Sequence, residues 1–239
     1  MSYSNYLLFS FLLLIIFITK NVYLFLAFLL LLIPKNKFKS NKYTSVFLII
    51  FFMFMLYFIW NKINDLYGYS FSVNDSQLNR NLIIHSPIKY FIIFINTLIK
   101  NSNSYFSTMI GRYLGWLEIN IGNFYYYCFV LLFIIFLLWD YDDRIKIDVK
   151  LLSFIIIVIT FGMILTALYL VWTPHKYTII AGVQGRYFIP ILLLLFMASN
   201  CKSFKAQPNL KNKSLFLIIS MLHIGILYEI FNKFYLNKA

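Results

Sequence analysis

The residues best suited to chemistry in this chain fall in two short stretches that combine glycine with arginine. Gly182, Gly185 and Arg186 belong to GVQGRYFIP, residues 182–190, directly ahead of an apolar run. The glycines bend the chain and remove Cβ atoms where backbone must come close to a ligand. Arg186 falls at the mouth of the helix expected to follow, where free amides and the helix dipole favour an anion. A guanidinium there can hold a phosphate through two parallel N–H bonds. A second reading carries equal weight: Arg186 snorkels to lipid headgroups, or pairs with a carboxylate such as Glu118. The other stretch holds Gly111, Arg112 and LGWLE, residues 114–118. There Trp116 beside Glu118 suggests an element at headgroup level with one carboxylate facing water.

Other catalytic patterns are missing from the sequence. His85 and His175 sit at opposite ends of their region, and as metal ligands they lack partners. His223 and Glu229 are nearly two helical turns apart, so His223 reads as a hydrogen-bonded histidine rather than a proton relay. No phosphate-cradling P-loop, nucleophile elbow or CxxC occurs. Cys128 and Cys201 are expected on opposite membrane faces, which argues against a disulfide. The residues call for no cofactor and no metal site, and they neither require nor exclude a divalent cation.

The elements that must position these residues are membrane helices. Of 239 residues, 62% are apolar and 12% charged, against about 45–50% and about 25% in soluble domains. A soluble protein of this size has too little interior to hide so much apolar surface. Apolar runs cover residues 6–19, 22–33, 43–60, 121–139, 151–172, 187–199 and 215–231. A span needs about 20 residues, so the first two and the sixth run are short. Joining the first two would place Lys20 near the midplane, at a cost of about 2.5–3.5 kcal/mol. Seven spans are therefore expected, with six as the alternative, in one all-α transmembrane domain over residues 1–239. Residues 61–120 form a long segment on one face. Its apolar stretch 88–99, introduced by Pro87, reads as a re-entrant or interfacial helix, because twelve residues are too few to span.

Charge sets the direction. Lys and Arg total 21 against 8 Asp and Glu, for a net charge of +13. In a soluble domain that excess would suggest nucleic acid; here the lysines crowd short loops between apolar runs. Lys35, Lys37, Lys39 and Lys42, then Arg144, Lys146 and Lys150, then Lys202, Lys205, Lys211 and Lys213 occupy alternate loops. The positive-inside rule makes that face cytoplasmic. Residues 61–120, the 173–186 loop and the carboxyl terminus are then outside, and the amino terminus inside. Trp60, Trp139 and Trp172 each close a run, as interfacial anchors do.

Four stretches in order carry a family resemblance: Ser86-Pro87 with Asn96-Thr97, LGWLE at 114–118, YLVWTP at 169–174, and GVQGRYFIP at 182–190. The last is the most specific. Over roughly residues 80–195 the chain resembles the bacterial membrane protein family known as domain of unknown function 2142, and the preceding apolar runs fit the same layout. The resemblance implies kinship with polytopic glycosyltransferases that use lipid-phosphate-linked sugars, in the bacterial inner membrane, in surface-polysaccharide biogenesis. It also implies an Asp where this chain has Glu118, and an additional amino-terminal half bearing the catalytic carboxylate, so the residues given are expected to correspond to the family's carboxyl-terminal half.

Two function classes follow. In the first, a sugar passes at the outer face from a polyprenyl-phosphate carrier to a glycan or lipid acceptor. Glu118 would take the acceptor proton. Arg186, with Arg112 second, would hold the phosphate, and Gln184 would orient the lipid head. In the second, a non-catalytic membrane subunit or lipid-glycan binding or translocation factor binds the same phosphate; a further alternative is an inactive fragment. Expected partners are membrane lipid, a polyprenyl-phosphate-linked sugar and other envelope-glycan proteins, and not nucleic acid.

Overall fold

The computed structural model describes residues 8, 11–16, 20–38, 41–67, 75–115, 117–139, 145–199 and 208–236. The fold is all-α apart from one minimal hairpin. Where the sequence suggests one transmembrane domain, the contacts of the folded chain group into two compact units. Residues 1–96 and 151–182 form the first, and residues 97–150 and 183–239 the second.

Among the described residues, three helices are long and apolar enough to cross a membrane: Lys42–Ile63, Ile147–Val171 and Ser214–Leu236. Ser76–His85 and Pro87–Ile110 make a fourth candidate if they count as one span bent by 111°. Three of the expected spans appear as shorter apolar helices, Val22–Leu32, Asn123–Leu137 and Gly185–Ser199. Of the first expected run, 6–19, only residue 8 and residues 11–16 are described, and these are helical.

In the first unit, Asn21–Leu32 winds as a 3-10 helix. Its rise of about 2.0 Å per residue carries twelve residues about 24 Å, further than an α-helix of the same length would reach. Lys42, the first residue of the Lys42–Tyr67 helix, donates from Nζ to the Leu31 carbonyl at 2.7 Å and so satisfies an orphan at the end of that 3-10 turn. Around these elements Leu13, Ala27, Leu30, Phe38, Val46 and Met53 form an apolar cluster. Their lipid-compatible neighbours Phe47, Phe51, Phe52 and Phe58 stay exposed, as expected of a helix surrounded by acyl chains.

The Pro87–Ile110 helix corrects the sequence reading. The twelve-residue element expected at 88–99 is a helix of 24 residues that continues through the polar patch at 100–104. The polar side chains do not break it because several close onto the helix itself. Ser107 Oγ donates to the Asn103 carbonyl at 2.7 Å, and Thr108 Oγ1 to the Ser104 carbonyl at 2.8 Å. The helix stops at Gly111, whose φ of +96° lets the Arg112 amide reach back to the Ser107 carbonyl at 3.0 Å, a Schellman-type ending.

In the second unit, the chain leaves that helix into strands β1 (Tyr113–Leu114) and β2 (Ile119–Asn120), paired antiparallel with Leu114 opposite Ile119. Gly115 and Leu117 take left-handed φ of 64° and 70° to close the turn. The hairpin delays the next helix to Asn123–Trp139, two residues after the expected start at 121. Aromatic packing joins this helix to its neighbours: Phe133 lies 5.7 Å from Phe106 and 5.6 Å from Phe196, between ring centroids. Gly225 leaves room for the Tyr125 ring, which an added Cβ would strike.

Candidate functional site

The second unit brings five of the six expected site residues to the hairpin and the helix mouth beside it. Gln184 precedes a 3-10 turn, Gly185–Phe188, which runs into the Ile189–Ser199 helix. Gly185 is buried, and its amide donates to Thr108 Oγ1 at 2.8 Å. A Cβ here would meet the Tyr105 carbonyl and the Met109 amide nitrogen. The missing side chain therefore serves a close approach of two backbones. That also spends one of the amides expected to greet an anion, so the guanidinium becomes the principal donor at this mouth.

Arg186 is exposed, and its Nη1 donates to the Gly115 carbonyl at 3.1 Å. The other end of the same turn is held similarly: Lys233 Nζ donates to the Glu118 carbonyl at 3.3 Å. Two cations from distant segments thus hold the two ends of the Gly115–Glu118 turn by its backbone. Neither use consumes the positive charge, and the Glu118 side chain stays exposed. Arg112, just before β1, donates from Nη2 to Asn123 Oδ1 at 3.2 Å and lies 4.9 Å over the Tyr126 ring. Its Nε is buried with no hydrogen-bond partner, and so is Gln184 Oε1. Buried polar atoms in that state are rare, since each forfeits about 1–3 kcal/mol.

Gly182 belongs to the first unit, with φ at +75° and its Cα against the Trp172 indole, where a Cβ would clash. Trp172 therefore has a packing partner as well as its position at a span end.

The first unit also contains a polar cluster that sequence reasoning missed. Asn79 is fully buried. Its amide nitrogen donates to the Tyr169 carbonyl at 2.9 Å and the Thr173 carbonyl at 2.7 Å, which satisfies the end of the Ile147–Val171 helix. With the amide so oriented, Asn79 Oδ1 accepts, and at 3.0 Å it fixes the proton of His175 on Nδ1. Asp75 Oδ2 accepts the His175 backbone amide at 2.9 Å. Thr173, also fully buried, donates to the Leu168 carbonyl and accepts from the Ala181 amide. His175 therefore has partners that its isolation in the sequence hid. The only available signal was the polar run around Asp75 and Asn79, since nothing local shows that it pairs with a loop about a hundred residues away.

The remaining candidates are dispersed. His223 Nδ1 is 2.7 Å from the Ile219 carbonyl in its own helix and stacks edge-on with Phe129, as a hydrogen-bonded helix histidine does. The Asp65 side chain, Trp116, Cys201 and the acidic residues 140, 142 and 143 lie outside the described residues. Among the described residues, no group of three or more His, Cys, Asp or Glu could hold a metal ion.

No curated protein and no solved structure matches the chain. A family model does, from residue 4 to residue 195, through every stretch that carried the resemblance and every expected site residue. It stops short of Lys233 and Glu229. The chain belongs to the DUF2142 family of predicted membrane proteins.

Proposed function

We propose that this membrane protein binds the phosphate of a polyprenyl-phosphate-linked sugar at the outer face of the bacterial inner membrane, on the hairpin of the second unit. The observation that carries the reading is the pair of cations at the Gly115–Glu118 turn. Arg186 and Lys233 hold its two end carbonyls while their charge remains available. Arg112 adds a third cation at the foot of β1. A guanidinium already oriented by one hydrogen bond loses little entropy when it takes an anion. Gln184 orients the lipid head in this reading.

In its finer form the reading is sugar transfer in envelope-polysaccharide biogenesis. The acceptor hydroxyl gives its proton to Glu118 and its oxygen bonds the anomeric carbon. The bond from that carbon to the carrier phosphate breaks, and the departing phosphate keeps the electron pair against Arg186 and Arg112. The kinship with lipid-linked-sugar transferases that the resemblance implies favours this form. A non-catalytic subunit uses the same phosphate site without Glu118, so Glu118→Gln separates the two.

The test of the shared reading is binding of a short-chain polyprenyl phosphate to purified protein, with thermal unfolding measured alongside. Arg186→Ala is expected to weaken binding about tenfold or more, the scale of one charged hydrogen bond. Arg186→Lys should fall between, because charge survives and the fork does not. Arg186→Gln keeps a donor for Gly115 while removing the charge, so it reads binding even if the alanine variant unfolds. Undiminished binding by a folded Arg186→Gln protein overturns the proposal. The orientation is tested separately. A cysteine replacing Lys176 should react with an impermeant thiol reagent in intact cells and one replacing Lys37 should not; the reverse pattern inverts the topology.

A further inference from the structure

A cleft of about 550 Å³ opens in the second unit beside β2 and the end of the last long helix. Ile121, Ile226 and Ile230 line it with apolar surface, and Asn120, Glu229 and Lys233 supply its polar groups. Glu229 and Lys233 are four residues apart, the spacing at which helical Glu and Lys ordinarily pair. Here they do not. The chain leaves α-helical winding for a π turn at Asn232–Leu236, and Lys233 turns to the Glu118 carbonyl. The Glu229 carboxylate lies over Gly122 instead, with both oxygens 3.6 Å from where a Cβ would stand. Among the described residues it has no hydrogen-bond or ion-pair partner.

The Glu229 carboxylate is exposed at the rim of the cleft beside its isoleucine wall, open to a cation that enters the cleft. The same cleft offers the Lys233 ammonium, which has donors beyond the one it gives to Glu118. A carboxylate and an ammonium lining one cleft above isoleucine walls are complementary to a headgroup carrying both a phosphate and an ammonium on a short linker.

We propose that this cleft is a binding site for a phosphoethanolamine headgroup, with the ammonium on Glu229, the phosphate on Lys233 and the start of the acyl region against Ile121, Ile226 and Ile230. Glu229 and Lys233 lie beyond the stretch that matches the family. The site shares Lys233 with the polyprenyl-phosphate reading and is told apart from it by Glu229, which that reading does not use, and by Arg186, which this cleft does not contain.

The experiment is native mass spectrometry of the purified full chain exchanged into vesicles of phosphatidylethanolamine or phosphatidylglycerol. Wild type should retain one phosphatidylethanolamine in preference to phosphatidylglycerol. Glu229→Gln should lose that preference by about tenfold, one charged contact, with unfolding temperature maintained. Lys233→Met should weaken both lipids alike. Arg186→Gln should leave the preference intact, which keeps this inference separate from the polyprenyl-phosphate reading. Competition by soluble phosphoethanolamine as strong as by the lipid would assign the site to the headgroup alone; weaker competition would show that the acyl region contributes. Equal retention of the two lipids by wild type, or an unchanged preference in Glu229→Gln, overturns the proposal.

Discussion

Asn79 in the first unit and the arginines of the second show what polar groups do when their bonds are saturated and when they are not. Both donors of the Asn79 side chain are used on helix-end carbonyls, and its oxygen accepts from His175. A saturated, buried network of this kind has nothing left for a ligand and acts as a lock. The hairpin region is the opposite. Arg186 spends one donor on Gly115, Arg112 leaves Nε without a partner, and Gln184 leaves Oε1 without one. Arg112 Nε and Gln184 Oε1 are buried as well as unpartnered, and that costs stability. Ligand binding is the physical use that offsets such a cost. The difference teaches where to look for function in a membrane protein whose histidines and carboxylates are few. Buried unpartnered hydroxyls also occur in the first unit, at Ser153, Thr160 and Tyr169; what sets the hairpin region apart is that its unpartnered atoms lie on an arginine and a glutamine beside the exposed Arg186.

The contrast can be broken most forcefully at Asn79. Replacement by alanine strands two carbonyls and one imidazole N–H, each at a cost of at least about 1 kcal/mol, so a loss of about 3 kcal/mol or more is expected. Thermal unfolding in detergent should record it as the largest drop of any substitution considered. Polyprenyl-phosphate binding by the protein that remains folded should be unchanged, because the network holds no free donor for the ligand. Wild-type stability in Asn79→Ala would show that the cluster is not a lock. Weakened binding with intact stability would mean that the first unit takes part in recognition.

Much of the fold was legible because span signals are additive. Long apolar runs such as Ile147–Val171 declare themselves by length and hydropathy, and no single residue decides them. The ends were less legible. The polar patch at 100–104 looked like a helix terminus, yet Ser107 and Thr108 close onto carbonyls one turn back and carry the helix on to Ile110. The β1–β2 hairpin was missed because strands of two residues have no periodicity to read, and Leu117, a leucine at φ 70°, does not advertise a left-handed turn. At the site, the importance of Arg186 could be argued from its position before an apolar run. Its partner could not: the Gly115 carbonyl is 71 residues away and is a backbone atom, for which sequence has no symbol. The role of Gly185 was half legible. A close approach was expected there, and the structure shows that what comes close is a helix backbone.

Gly185 gives the sharper and smaller test, because it lies where stability and binding meet. Its amide is anchored on Thr108 Oγ1, and its Cα rests against the Tyr105 carbonyl and the Met109 amide nitrogen of the Pro87–Ile110 helix. Those are backbone atoms of a regular helix, so they cannot rotate aside as a side chain would. Gly185→Ala must therefore push the 3-10 turn away, at the cost of about 1–3 kcal/mol usual for overpacking. Arg186 is the next residue, and displacement of its backbone moves the guanidinium off the Gly115 carbonyl. The variant should thus lose polyprenyl-phosphate affinity although every charged group is still present. Asn79→Ala, by contrast, should lose more stability and no affinity. The measurement is the same binding assay beside the same unfolding curve. If Gly185→Ala binds as tightly as wild type despite a lowered unfolding temperature, the seat on the Pro87–Ile110 helix does not position Arg186. The two regions would then differ only in burial, not in what their polar groups are for.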